Sequence, residues 1–513
     1  MNFNKGVRNI IWSILGQIIT LLIGILIPRF VIVSYGSEIN GLLSSVGQVM
    51  SYLALLEAGL GAAAIQALYK PIAQSDNYKV SQIVVATQNS YRKIGGMYLI
   101  AVIVCAFVYP FLVDSKMDYW FVFVIVILFG LPSVINFFFQ GKYSILINAK
   151  GDLYYITNIN TIVTVLNSFI KIYLLSIHLN IIFVQFMYCV TSLVQMYFVY
   201  RYVKKNYTWL DMKVKPDYSS LKGKNSAVVH QICGLITNST DVILLTAFCD
   251  LKAVSIYSVY NMIFNIVYMV ATSVNSGVQF IFGNAFYKGV DYYKKIFNCY
   301  ETYYICLTSS LMVVTFIFVK PFLILYTAGA DINYVNNAFP VVFMIMKILH
   351  SYKNCATLTP SVSGYFKETQ THALIESVIN LLISIIALRK FGMVGVLFGT
   401  IVAFIYRSCV DIIYTNQKIL KKNSWSNVKR VVVNVLLISL YTGIILNIEI
   451  TPYNYLYLLL LAIPVTIIVL STFIVVNSIC NIDEFFMVRD FVSRKCREIY
   501  SARIKPWIHQ RKK

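Results

Sequence analysis

Apolar stretches about as long as a helix needs to cross a hydrocarbon core of roughly 30 Å recur along the whole 513-residue chain. The pattern predicts fourteen spans, near 9–33, 42–69, 94–113, 119–140, 153–175, 180–203, 225–248, 254–283, 298–326, 334–358, 371–389, 393–415, 430–448 and 453–478. The first follows Lys5 and Arg8 as a signal peptide would. It is about twice as long as a signal core, contains Arg29 and lacks a small-residue cleavage site, so it reads as a retained span. The expected fold is therefore all-α, a polytopic membrane protein with about 14 transmembrane helices and little chain left over.

Composition agrees: 58% of residues are hydrophobic, 12% are charged and the mean hydropathy is +0.71. No connecting segment is long enough for a soluble catalytic domain. The net charge of +22 sits in short loops and not on one soluble face, which argues against nucleic acid. With the N-terminus inside, most of the 43 Lys and Arg fall on the cytoplasmic side, in Lys70 to Lys93, Arg201 to Lys224, Lys288 to Lys295, Arg407 to Arg430 and Arg489 to Lys513. Both termini are expected in the cytoplasm. In the tail, Ile482, Phe485, Phe486, Val492, Cys496 and Ile499 recur at helical spacing among basic residues, the pattern of an amphipathic helix on an anionic leaflet.

Leu68-Tyr69-Lys70 closes the second predicted span and Phe286-Tyr287-Lys288 the eighth, and Asn167 is echoed by Asn380 at nearly the same separation. An even number of spans intervenes, so the repeats are parallel. The expected domains are two pseudo-symmetric six-helix lobes, 1–204 and 225–415, joined by a cytoplasmic linker, 205–224. Two additional helices within 430–478 and the basic tail 479–513 follow.

Polar groups inside a bilayer are costly, so their placement carries information. Asn261, Asn265, Tyr268, Thr272, Asn275 and Gln279 form one stripe on the eighth span. Amides and phenols pair with sugar hydroxyls at little charge cost; the alternative is hydrogen bonding between helices. Lys347, His350, Asn354 and Thr357 form a stripe on the tenth span, and an isolated mid-span lysine costs about 2.5–3.5 kcal/mol unless it faces water, an acid or an anion. Lys171 closes a third set with Asn160, Thr164 and Asn167, near enough to the outer end to snorkel. Arg29 follows Pro28, where a kink is expected, and its fork suits a phosphate; its alternative is an interfacial anchor. Glu57, Asp241 and Glu376 are buried acids, either counter-ions to Arg29 or Lys347 or carriers of a coupling proton or cation. Arg407 and Asp411 read as a structural pair. No Gly-rich phosphate loop, metal-ligand spacing or nucleophile elbow occurs, so neither cofactor nor metal is expected.

Four segments resemble the polysaccharide flippases of the multidrug/oligosaccharidyl-lipid/polysaccharide exporter superfamily: Asn9 to Gln17; Leu56-Glu57-Ala58-Gly59-Leu60-Gly61; Asp241 with Ala253-Val254-Ser255-Ile256-Tyr257; and Gly364-Tyr365-Phe366-Lys367 through Asn380 to Phe391-Gly392-Met393-Val394-Gly395. The resemblance covers the first twelve spans. It implies a V-shaped pair of lobes around a cationic cavity, with an undecaprenyl-linked oligosaccharide as substrate. The pyrophosphate would lie at Arg29, Lys347, His350 and Lys171, the sugars at Asn261, Asn265, Tyr268, Asn275 and Gln279. The last two spans look like the addition seen in lipid II flippases of that superfamily, where a groove holds the polyprenyl chain.

The resemblance further implies a cell-membrane protein of bacterial capsule or exopolysaccharide biosynthesis, acting as a monomer beside glycosyltransferases and a polymerase. The rival within the superfamily is a cation-coupled multidrug exporter, which Glu57 and Asp241 keep open. A membrane-embedded glycosyltransferase or polymerase fits poorly, because the predicted outer loops are only a few residues long.

Overall fold

The computed structural model describes residues 16, 19–20, 23–113, 115, 117–221, 225–365, 367–445 and 450–499. Most of the segment Asn9 to Gln17 and the tail beyond residue 499 lie outside them. The helices are α1 (Ile23–Tyr35), α2 (Ser37–Leu53), α3 (Leu60–Ala73), α4 (Asn77–Leu112), α5 (Tyr119–Ile135), α6 (Gly141–Ala149), α7 (Leu153–Ser176), α8 (Ile181–Asn206), α9 (Asn225–Phe248), α10 (Leu251–Lys288), α11 (Val290–Tyr326), α12 (Ala338–Val362), α13 (Gln370–Phe391), α14 (Gly395–Tyr414), α15 (Trp425–Ile445), α16 (Tyr455–Cys480) and α17 (Ile482–Ile499). Among the described residues, eleven helical stretches are long and apolar enough to cross a membrane, and α1 is a shorter apolar one. One of the eleven, Gln370–Leu420, holds both α13 and α14. Where the predicted spans fall on described residues they are mostly helical, and the protein is a multi-pass all-α membrane protein.

Two features differ from the hydropathy pattern. The stretch read as one span over 42–69 is broken: α2 gives way to a 3-10 turn at Ala54–Glu57, Gly59 takes φ +82°, and α3 then restarts. Hydropathy reports apolar length and is blind to a single residue in the left-handed region. Second, α4, α10 and α11 run well past their apolar runs, so parts of Lys70 to Lys93 and all but one residue of Lys288 to Lys295 are helical turns and not loops. Polar helix continues as long as its backbone is paired and capped. Asp76, for example, caps α4 by accepting from the Lys79 amide at 2.9 Å.

The backbone divides into two compact units. The first comprises Met1–Met262, Tyr326–Tyr334 and Ala373–Thr400; the second comprises Ile263–Leu325, Val335–His372 and Ile401–Lys513.

In the first unit α4, α5, α7 and α8 enclose a core that includes Tyr98, Ile125, Val126, Val184 and Leu175. Helices α2 and α9 are joined by hydroxyls: Ser45 to Thr246 at 2.5 Å, Tyr52 to Thr240 at 2.7 Å, with Tyr109 donating to Ser45 at 2.7 Å. Gly41 permits close approach to the start of α10, since a Cβ there would lie 1.8 Å from the Leu251 carbonyl oxygen. Gly41→Ala is therefore expected to destabilise the protein by at least about 1–3 kcal/mol, the range for overpacking. A thermal-shift measurement in detergent checks it, and an unchanged melting temperature would refute the close approach.

The segment Tyr326–Tyr334 is tied into the same unit. Asp331 accepts from the Ser37 amide at 2.9 Å and its hydroxyl at 2.5 Å, and Tyr334 bonds Ser37 and Ser255, each at 2.7 Å. Burial raises the Asp331 carboxyl, but the hydrogen bonds outweigh it and hold it below the ordinary Asp value. The irregular segment after α8, 207–221, is strapped along α4: the Asp211 amide donates to the Ser81 hydroxyl at 3.2 Å, and Lys79 pairs with Asp217 at 2.7 Å.

In the second unit Phe282, Tyr293, Phe297 and Tyr304 centre a core of packed rings. Beside it Arg430 of α15 is 1% exposed and pairs with Glu301 of α11 and, at 2.7 Å, with Glu484 of α17. Asn427 donates to the other Glu301 oxygen at 2.5 Å. The added helices α15 and α16 join through a reciprocal amide pair, Asn434 with Asn477 at 2.9 and 3.2 Å. The tail forms helix α17 with Ile482, Phe485 and Phe486 exposed. Arg407 pairs with Asp411 at 2.6 Å, as its spacing predicts, and His372 joins the same carboxylate at 2.8 Å.

Candidate functional site

The second unit assembles a cluster of cationic, amide and aromatic groups from α10 and α12. The two helices present matched stripes, and the spacings that suggested them bring facing residues into register. Lys347 is 5% exposed, and its ammonium donates to the Asn265 side-chain oxygen at 2.5 Å. Asn354 donates to the Tyr268 hydroxyl at 2.6 Å, and the Lys347 ammonium lies 5.5 Å from the centre of the Tyr268 ring. His350 is stacked between Tyr268 and Phe404, with ring centres at 4.5 and 4.6 Å. Both faces of the imidazole are covered, which leaves its nitrogen-bearing edge for polar contact.

The cluster contains a second lysine that the stripe reading over Lys347, His350, Asn354 and Thr357 passed over. Lys353 is 9% exposed and sits 4.3 Å from the centre of the Phe404 ring. The signal was present: 347, 350 and 353 are three residues apart on one helix, all basic or titratable. Two buried ammonium groups and an imidazole gather here with amides and aromatic rings. An anion would be stabilised there by charge-assisted hydrogen bonds, which are stronger than neutral ones.

The remaining predicted residues have the following surroundings. Asn275, further along α10, accepts from Tyr300 at 2.7 Å. Asn261 precedes Asn265 by one turn on the same helix and belongs to the first unit. The side chain of Gln279 lies outside the described residues. Arg29 is in the first unit, where it donates to the Tyr326 carbonyl at 2.6 Å while Tyr326 donates back to the Ile25 carbonyl at 2.6 Å. Helix α1 continues through Pro28 without interruption. Lys171 sits 4.7 Å from the centre of the Tyr188 ring.

Of the acids, Glu57 at the break after α2 accepts from the Tyr91 hydroxyl. Asp241 is more deeply held: Tyr257 donates to it at 2.8 Å and Thr400 at 3.1 Å, and Asn380 in turn donates to Thr400 at 2.9 Å. Tyr257, Asn380 and Asp241 are all residues through which the family resemblance ran. Tyr257 reaches the Asp241 carboxylate directly and Asn380 reaches it through Thr400.

This architecture defines a class. The chain has the fold of the transporters of the multidrug/oligosaccharidyl-lipid/polysaccharide (MOP) superfamily. It is similar to the lipid II flippase MurJ in an inward closed conformation, with a TM-score of 0.65 at 14% identity over 94% of this chain and 100% of that one. It is also similar to a multidrug resistance MATE family transporter of the MOP superfamily in an inward-facing conformation, with a TM-score of 0.63 at 15% identity over 81% and 99%. A MATE structure in a bent conformation gives 0.53 at 15% identity over 86% and 97%. No family model and no curated protein matches the chain.

Proposed function

We propose that the protein is a flippase of the MOP superfamily that carries an undecaprenyl-pyrophosphate-linked oligosaccharide from the inner to the outer leaflet of a bacterial cytoplasmic membrane. The observation that carries this reading is the buried Lys347, His350 and Lys353 set among amides and aromatic rings. A diphosphate is the substrate group that such a set suits, and Asn265, Tyr268 and their neighbours on α10 suit sugar hydroxyls. Arg29 and Lys171 are proposed to take part from the first unit. Both termini are cytoplasmic in this reading, the lobes 1–204 and 225–415 alternate access, no covalent chemistry occurs, and glycosyltransferases and a polymerase supply and consume the substrate.

The fold comparison adds support. The lipid II flippase aligns with 94% of the chain and the multidrug transporter with 81%. The greater coverage is consistent with a shared pair of added helices, here α15 and α16. The rival reading, a cation-coupled multidrug exporter, is favoured by the likeness to MATE structures and by the buried Asp241 with its hydroxyl ligands.

Reconstitution into vesicles separates the two. Purified protein should move a fluorescent lipid-linked oligosaccharide between leaflets and give no ethidium export under a sodium or proton gradient. Gradient-driven dye export with no lipid movement would replace the flippase by the exporter.

A further inference from the structure

Arg92 on α4 and Lys142 on α6 take no part in the transport reading, yet the fold brings them together. A π-helical turn at Asn136–Gln140 separates α5 from α6 and re-aims every side chain after it. Gly141, the next residue, packs against the ring of Tyr91, where a Cβ would lie 3.0 Å from a ring carbon. Tyr91 itself is held by Glu57. Arg92 and Lys142 directly follow Tyr91 and Gly141, on the helices joined at that contact. Among the described residues neither has a carboxylate within 4.0 Å. The Lys142 ammonium lies 4.7 Å from the centre of the Tyr143 ring, and Tyr143 faces Tyr200 of α8 at 6.1 Å between ring centres. Arg92 and Tyr200 are exposed and Lys142 is half-buried.

The depth of the cluster follows from the sequence. Uncharged runs begin just after Arg92, at 94–112, and end just before Lys142 and Arg201, at 119–139 and 181–200. All three basic residues thus mark the boundary between hydrocarbon and headgroups, the level of a phospholipid phosphate. Two like charges held together there by a π-turn and a glycine contact are unfavourable alone and favourable around an anion. An arginine fork and a lysine point charge complement a phosphodiester, with tyrosine rings beside its glycerol.

We propose that Arg92, Lys142 and the Tyr143–Tyr200 pair form a binding site for the phosphate headgroup of an anionic phospholipid in the adjoining leaflet. The site is distinct from the transported substrate's cluster, so its test does not depend on transport.

The full-length protein in neutral detergent is titrated with phosphatidylglycerol, phosphatidylcholine or inorganic phosphate, and its melting temperature is read. Phosphatidylglycerol is expected to raise it, the other two much less. In R92Q/K142Q the phosphatidylglycerol needed for half the shift should rise roughly tenfold, the loss expected for a charge-assisted contact. The charge-keeping R92K/K142R should titrate like the wild type, as should K204Q/K205Q, which removes equal charge from the end of α8. The proposal is overturned if R92Q/K142Q titrates like the wild type, if K204Q/K205Q weakens binding as much, or if inorganic phosphate matches the lipid.

Discussion

Truncation of Arg430 to alanine destabilises the second unit by about 3–5 kcal/mol, the cost of leaving buried carboxylates without their cation. Arg430 is 1% exposed and Glu301 is 5% exposed, so water cannot replace the lost guanidinium. Glu484 is 16% exposed and contributes less to the loss. The measurement is thermal unfolding in detergent, with Glu301→Gln added in the same background. The double substitution should recover much of the loss, because a neutral amide keeps its partner Asn427 and carries no buried charge. A shift no larger than that of an exposed substitution such as Arg489→Ala would mean that Arg430 is not desolvated.

Lys347→Ala is expected to lower transport more than any other change in the α10–α12 cluster. Its ammonium is the buried charge closest to the amide and phenol groups assigned to sugar, and loss of one charge-assisted contact to a phosphate weakens binding by roughly tenfold or more. Polymer output from cells and the half-saturating lipid-linked oligosaccharide in vesicles both read the effect, with membrane abundance as the control. Lys347→Arg, which keeps the charge, should retain more activity than Lys347→Met. Normal output from Lys347→Ala together with normal output from Lys353→Ala would remove the diphosphate from this cluster.

The spans were legible because apolar length is a direct readout of bilayer thickness. The facing stripes were legible for a related reason: Lys347 with Asn265, and Asn354 with Tyr268, meet because helical spacing decides which residues share a face. What hydropathy could not supply was anything set by a single backbone torsion or by the rotation of one helix against another. The break at Gly59 lies inside a stretch that reads as one span by hydropathy, and the stacking of His350 between Tyr268 and Phe404 needs α14, a distant segment of sequence. Lys353 was overlooked because a strict stripe follows the Cβ positions, whereas a four-carbon side chain reaches an aromatic ring off that line. Arg29 was read, from its place after Pro28 and its planar fork, as an anion ligand or an interfacial anchor. Its bond to the Tyr326 carbonyl depends on a segment some three hundred residues away.

The overlong helices have a mechanical corollary. Helix α4 has 36 residues, so it measures about 54 Å at 1.5 Å per residue and overshoots a hydrocarbon core of about 30 Å by several turns. With residues 207–221 lashed along the N-terminal end of α4 through Lys79 and Asp217, this stretch of the chain after α8 is a splinted post and not a slack tether. That end of α4 therefore offers a surface of fixed shape beyond the hydrocarbon.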